Sequence, residues 1–118
     1  MCGVTGVAFF NDNHNFNLNH LKNMNNSLYH RGPDSEGFWV SSNQRIFLGH
    51  KRLSIIDLSK NGDQPMISSC GRYVITFNGE IYNFRDLLKE LKANFNINLQ
   101  NKTDTIVFTN VSTDFRRR

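Results

Sequence analysis

Met1-Cys2-Gly3-Val4-Thr5-Gly6-Val7-Ala8-Phe9-Phe10 opens the chain. Val4, Thr5, Val7, Phe9 and Phe10 have the β-branched and aromatic content of a buried strand, and Gly3 and Gly6 let another backbone or a ligand come close. Cys2 then stands at a strand's start. Removal of an initiator methionine ahead of a small cysteine leaves one residue carrying both a thiol and a free α-amine. A thiol titrates near ~8.5 and an α-amine at about 7.7–8.0, so the amine is a partly neutral base closely matched to its own thiol. Such a residue can activate its own nucleophile. A cysteine in second place is unremarkable alone, so the rest of the chain must supply the other parts of a site.

The 118 residues amount to one domain at most, with 38% hydrophobic and 12% aromatic residues, enough for a compact core. A formal net charge of +4 invites a nucleic-acid partner, but Arg116, Arg117 and Arg118 supply three of the 14 basic residues; the remainder nearly balance the 10 acidic ones. No basic stripe interleaved with aromatics is left, which argues against nucleic-acid binding. Two cysteines, Cys2 and Cys70, are too few for a disulfide framework, and no Cys/His spacing suggests a metal. A reducing, cytoplasmic setting is expected. The apolar run near the start has no basic leader and is too short for a signal peptide or a membrane span, so no membrane partner is expected. Asparagine is abundant and is given no functional reading.

After a turn over residues 11–17, Leu18, Leu21, Met24 and Leu28 recur at helical spacing until Gly32-Pro33 stops them. His14, His20 and His30 lack ligand-type neighbours and read as surface or capping residues. Glu36 to Val40 resumes a strand pattern. Arg45 to Ile56 reads as a second strand interrupted by the polar Gly49 to Arg52 segment, an interruption that can present side chains to a site. Asn61-Gly62 and Gln64-Pro65 mark a turn, Tyr73 to Phe77 a strand ending at Asn78-Gly79-Glu80. Asn83 can cap a helix whose apolar face is Phe84, Leu87, Leu88 and Leu91. Phe95, Ile97 and Leu99 alternate as in a half-exposed strand, and Thr105 to Thr109 are β-branched and apolar. The predicted order is β-α-β-β-β-α-β-β, without repeat or internal boundary.

Several of these segments carry a family resemblance. Met1-Cys2-Gly3, His30-Arg31-Gly32-Pro33-Asp34, Leu48 through Ser59, Gln64-Pro65-Met66 and Phe77-Asn78-Gly79-Glu80-Ile81-Tyr82-Asn83 together resemble the glutaminase domain of asparagine synthetases, a class II glutamine amidotransferase domain. The Gly49-His50-Lys51-Arg52-Leu53-Ser54-Ile55 segment and the Asn78 to Asn83 motif look like this branch more than its class II relatives. The resemblance implies an α+β fold, the N-terminal-nucleophile hydrolase sandwich of antiparallel sheets flanked by helices. It implies glutamine hydrolysis to glutamate and ammonia, with Cys2 as nucleophile and its own α-amine as base and then acid. The oxyanion donors it implies are the Asn78 side-chain amide and the Gly79 backbone N–H.

For substrate recognition the resemblance points to Arg52, Leu53, Ser54, Ile55 and Ile56, then to Asn78, Gly79 and Glu80, and to Asp104. Arg52 can grip a carboxylate bidentately, as a lysine cannot. Glu80 and Asp104 would receive the ammonium. Arg31 and Asp34 read as ordering the turn beside the site. The implied partners are L-glutamine and a synthetase domain or chain that would use the ammonia to make asparagine from aspartate. No cofactor is expected at the glutaminase site; ATP and magnesium would belong to a synthetase domain, whose Ser-Gly-Gly phosphate loop is not in this sequence.

By this resemblance residues 1–105 are expected to be the N-terminal part of a type-2 glutamine amidotransferase domain. Residues 106–118 read as a divergent tail, because Ile106 to Val111 have strand character where the family has a helix. The chain is therefore expected to be a truncated or frame-disrupted copy, with an incomplete sandwich. A non-catalytic fragment that binds glutamine or a partner is the alternative reading. A third has a separate synthetase chain complete the site.

Overall fold

A computed structural model describes residues 1–54, 62–95 and 105. Strand β1 (Gly3–Ala8) is followed by helix α1 (Leu18–Asn26), a single 3-10 turn (Tyr29–Arg31), and strands β2 (Ser35–Val40) and β3 (Ile46–Arg52). Short strands β4 (Met66–Ile67) and β5 (Val74–Ile75) precede helix α2 (Phe84–Phe95). The architecture is α+β with antiparallel pairing throughout the described strands: a sheet in the order β1-β3-β2, and a two-stranded ribbon, β4-β5.

Helix α1 begins where the sequence places it. Asn17 is extended (φ −143°, ψ 179°) and its side chain accepts the amides of Asn19 and His20, while the His20 ring accepts the Asn17 amide at 3.2 Å. This is a reciprocal cap with histidine in the usual Glu/Gln role. The expected apolar face is narrower than its spacing suggests: Leu21 is fully buried, but Leu18 and Met24 are 40% and 36% exposed. Asn25 takes the place beside Leu21. It accepts from the Thr5 hydroxyl at 3.2 Å and donates to the His50 carbonyl at 3.3 Å, pinning α1 to two strands at once.

Strand β3 corrects the sequence reading. The polar Gly49 to Arg52 segment does not interrupt the strand; it is the strand, and His50, Lys51 and Arg52 are among its buried residues. The reason is position. As the central strand, β3 has partners on both edges, so the backbone gains from staying extended and each polar side chain must find its own partner. Lys51 meets Glu36, its direct neighbour on β2, at 2.5 Å and lies over the Tyr29 ring. Arg52 meets Asp63 at 3.0 Å. Leu53 and Ser54 lie beyond the strand, and Ile55 and Ile56 are outside the described residues.

Register sorts the two faces of this sheet. Thr5, Phe47, Gly49 and Lys51 share the face toward α1; Val4, His50 and Arg52 share the opposite face. On that second face His50 contacts Phe77, just past β5, and Gly37, which pairs with His50, abuts the Gln64 backbone. So the ribbon end lies across the sheet from α1. At the far end of the sheet Phe9, His14, Phe16 and Phe47 form a ring cluster, with Phe9 and His14 stacked at 3.8 Å.

The ribbon is shorter than predicted, Val74–Ile75 in place of Tyr73 to Phe77, and its partner Met66–Ile67 follows directly on the Gln64-Pro65 turn, where no strand was predicted. Thr76 and Phe77 leave the ladder because their polar groups bond instead to Gly49, His50 and Gln64. Helix α2 matches its amphipathic pattern, burying Leu91 and half-burying Phe84, Leu87 and Leu88. Phe95 ends this helix and does not start a strand, and Thr105 is helical where a strand was expected. Ile97, Leu99, residues 106–109 and the tail to Arg118 lie outside the described residues.

Candidate active site

The alternation of side chains along β1 brings Cys2 to the Val4 face, one step beyond the last registered pair, Gly3 opposite Lys51. That step places it beside Arg52 and Leu53. The Leu53 amide donates to the Cys2 sulfur at 3.4 Å, and the sulfur lies 3.9 Å from the Leu53 carbonyl. Cys2 is half-buried, while Met1 ahead of it is 75% exposed.

Asp34 fixes the other side of this corner. Its amide donates to the Arg52 carbonyl at 3.1 Å, and its carboxylate accepts the Ser54 amide at 2.7 Å. A charge-assisted bond of this kind is about twice as strong as a neutral one, so the chain leaves β3 in a set direction. The structuring role read for Asp34 has here a concrete geometry. The Arg52 guanidinium is tethered by Asp63, which also accepts from the Ser35 hydroxyl at 3.0 Å. Cys2, Arg52, Leu53 and Ser54 are thus brought together by two strand ends and one turn.

Asn78, Gly79 and Glu80 occupy a separate, exposed stretch directly after Phe77. The Phe77 ring packs against Gly79, where a Cβ would sit 2.5 Å from the ring. Among the described residues both hydrogen bonds of the Cys2 thiol go to Leu53, so this structure does not join Asn78 or Gly79 to it. Asp104, Ile55 and Ile56 fall outside the described residues.

Three residues near the site carry structure that the sequence reading did not assign. His50 is 1% exposed and its Nε2 faces the Phe77 carbonyl at 3.3 Å. A carbonyl only accepts, so Nε2 carries the proton and Nδ1 does not. Nδ1 is buried without a hydrogen-bond partner among the described residues. Burial pushes the His50 pKa below the ordinary histidine value and Arg52 pushes the same way, against the Phe77 carbonyl and Asp63. Gln64 and Asp63 are the other two. His50 and Gln64 both lie inside segments that the motif comparison singles out; Asp63 has no sequence signal beyond being acidic.

Among the described residues no group of three or more His, Cys, Asp or Glu side chains could hold a metal, and no helix is long and apolar enough to cross a membrane. What the corner offers chemically is a thiol at a strand terminus, a buried guanidinium two residues from His50, and a short run of exposed amides nearby in sequence from the ribbon.

Comparison with known proteins gives the same direction. The family model described as a glutamine amidotransferase domain matches residues 1–115. Asparagine synthetase (glutamine-hydrolysing) 1 of Bacillus subtilis is 39% identical over 92% of this chain and 17% of its own length. Asparagine synthetase (glutamine-hydrolysing) 1 of Arabidopsis thaliana is 37% identical over 78% of the chain and 15% of its own length. Amidase chry2 of Gibberella zeae is 44% identical over 58% of the chain and 10% of its own length. The chain therefore spans less than a quarter of each of these relatives.

Proposed function

The chain belongs to the glutamine amidotransferase domain family, and from that membership we propose that it carries the glutaminase half-reaction of a glutamine-hydrolysing asparagine synthetase. The observation that carries the reading is the corner where Cys2, at the start of β1, is held against Leu53 beside Arg52 and Ser54.

With Met1 removed, the Cys2 α-amine takes the thiol proton and the sulfur attacks the side-chain amide carbon of glutamine. The Asn78 amide and the Gly79 N–H stabilise the resulting oxyanion. The ammonium formed at the α-amine then gives its proton to the leaving ammonia, and water cleaves the thioester to release glutamate. Each oxyanion donor is worth about 2.7–4 kcal/mol of transition-state stabilisation. Arg52 pairs with the substrate α-carboxylate, its position set by Asp63. Glu80 and Asp104 receive the α-ammonium, and Leu53, Ser54, Ile55 and Ile56 line the site. Asn78–Glu80 are exposed and, among the described residues, the Cys2 thiol bonds to Leu53, so in this reading substrate draws the oxyanion donors onto the sulfur side.

The two described sheets, with α1 on one face and the ribbon end on the other, support an N-terminal-nucleophile sandwich of antiparallel sheets between helices. The ammonia acceptor, ATP and magnesium belong in this reading to a synthetase domain in a cytoplasmic enzyme; no residue of this chain takes part in that chemistry. Ammonia and glutamate release from L-glutamine tests the reading: the chain with a free N-terminal Cys2 is active, Cys2→Ala is not, and retained Met1 blocks turnover. Turnover by Cys2→Ala at the unsubstituted rate would overturn it.

A glutamine-binding module without turnover is favoured by a different observation. Among the described residues Leu21, Phe47 and Leu91 are the buried hydrophobic side chains, a small core for a catalytic scaffold. Glutamine binding without ammonia release is its signature.

A further inference from the structure

The Gln64-Pro65-Met66 motif takes no part in the chemistry above, yet Gln64 is 8% exposed and bonded at both ends of its side chain. Its Oε1 accepts the Phe77 amide at 2.6 Å, and its Nε2 donates to the Thr105 hydroxyl at 3.3 Å. On the other side of Phe77, His50 donates to the Phe77 carbonyl at 3.3 Å. The two peptide planes that flank Phe77 are therefore each held by a buried side chain, and the second plane leads into Asn78. Gln64 itself is firmly mounted. A Cβ on Gly37 of β2 would sit 2.0 Å from the Gln64 carbonyl oxygen, so the Gln64 backbone is pressed onto the central sheet.

We propose that Gln64 is a positioning residue for the oxyanion donors of the glutaminase reaction. Acting with His50 it sets the Phe77 backbone and so the direction in which the Asn78 amide and the Gly79 N–H leave the ribbon. Through Thr105 it ties that setting to the residue next in sequence to Asp104. Glutamine suits the post because one end accepts and the other donates without a charge that burial would penalise. A positioning error of about 1 Å at donors of this kind costs about 10²-fold in rate. The proposal rests on the glutaminase reading, and its test separates the two.

The experiment compares Gln64→Met, which keeps the volume and removes both bonds, with Gln64→Glu, which keeps an acceptor for the Phe77 amide. Glutamine kinetics and hydrogen exchange at the Phe77 amide are both measured. Expected for Gln64→Met is lost Phe77 protection and a kcat lower by about 10²-fold, with KM for glutamine little changed. Gln64→Glu, which still accepts the Phe77 amide, restores the protection and recovers part of kcat, the remainder being lost to the buried charge and the missing amide donor. A rise in KM at unchanged kcat overturns the proposal, as does Phe77 protection that survives in Gln64→Met. If the unsubstituted chain releases no ammonia while Phe77 protection still depends on Gln64, the glutaminase reading falls and the clamp on Phe77 stands. Should Gln64→Met fail to fold, Thr105→Val removes only the hydroxyl that holds the Gln64 amide; a smaller fall in kcat supports the proposal, and unchanged kcat with unchanged Phe77 protection overturns it.

Discussion

His50 shows what one buried titratable side chain imposes on this site. Its ring is inside the sheet–ribbon contact, with Nε2–H on the Phe77 carbonyl and Nδ1 facing no acceptor among the described residues. Protonation would place a charge in this buried position, and burial, helped by the Arg52 charge, holds its pKa below the ordinary value against the Phe77 carbonyl and Asp63. In the unfolded chain the ring takes up its proton as pH falls through about 6.5. Over the window below that, the unfolded state binds more protons, so stability rises with pH and is lost on acidification. Urea unfolding between pH 7 and pH 5 should therefore show a falling midpoint, and His50→Gln should flatten the slope over this window; an unaltered slope removes His50 as its source. Asp34 offers a second residue-level test. Asp34→Ala deprives the Ser54 amide of its carboxylate and loosens the exit of β3, so KM for glutamine should rise several-fold while iodoacetamide still labels Cys2 at its former rate. Cys2 and Arg52 were legible as candidate site residues, and Asp34 as ordering the turn beside them, because each lies in a motif. Gln64 and His50 sat in motifs too, but their roles are contacts with Phe77, and no local pattern encodes a contact partner 13 or 27 residues away.

At the level of elements, the cap of α1 and the central strand show where sequence reading succeeds and fails. Helix onset is local chemistry: Asn17 satisfies the first amides of α1 whatever the rest of the chain does. Asn17→Ala should cost about 1 kcal/mol in denaturant unfolding, and no measurable cost would mean α1 is held by packing alone. Strand β3 depends instead on neighbours. Gly49 to Arg52 reads as an interruption because its residues are polar, and only the pairing of β1 and β2 on either side shows that polarity being absorbed by Glu36, Asp63 and the Phe77 carbonyl. Asn25 is the same lesson on a helix. A buried asparagine inside an apolar stripe has no meaning until Thr5 and the His50 carbonyl are seen beside it. Asn25→Leu strands both partners and should destabilise by about 1–3 kcal/mol despite its greater hydrophobicity; a more stable Asn25→Leu chain would show that the bridge contributes nothing net.

For the molecule as a whole, the core among the described residues is small, with Leu21, Phe47 and Leu91 its buried hydrophobic side chains. Val4 and Ile46, on the same face of the central sheet as His50, are 39% and 42% exposed, so the layer opposite α1 is only partly covered by described residues. Net folding stability is a small difference between large terms, so a bound ligand becomes a large fraction of the total. A ligand that binds only the folded chain stabilises it by about 2.7 kcal/mol at a hundred times its Kd. Cys2→Ala, unable to consume substrate, should therefore melt at a visibly higher temperature with saturating L-glutamine than without it. Arg52→Lys in the same background should lose the shift if Arg52 holds the α-carboxylate as proposed, because an ammonium cannot reproduce a bidentate grip. The shift measures recognition apart from turnover. Present in Cys2→Ala and paired with ammonia release by the unsubstituted chain, it supports the glutaminase; present without that release, it leaves a glutamine-binding module; absent from both, it removes Arg52 and its neighbours as a glutamine site.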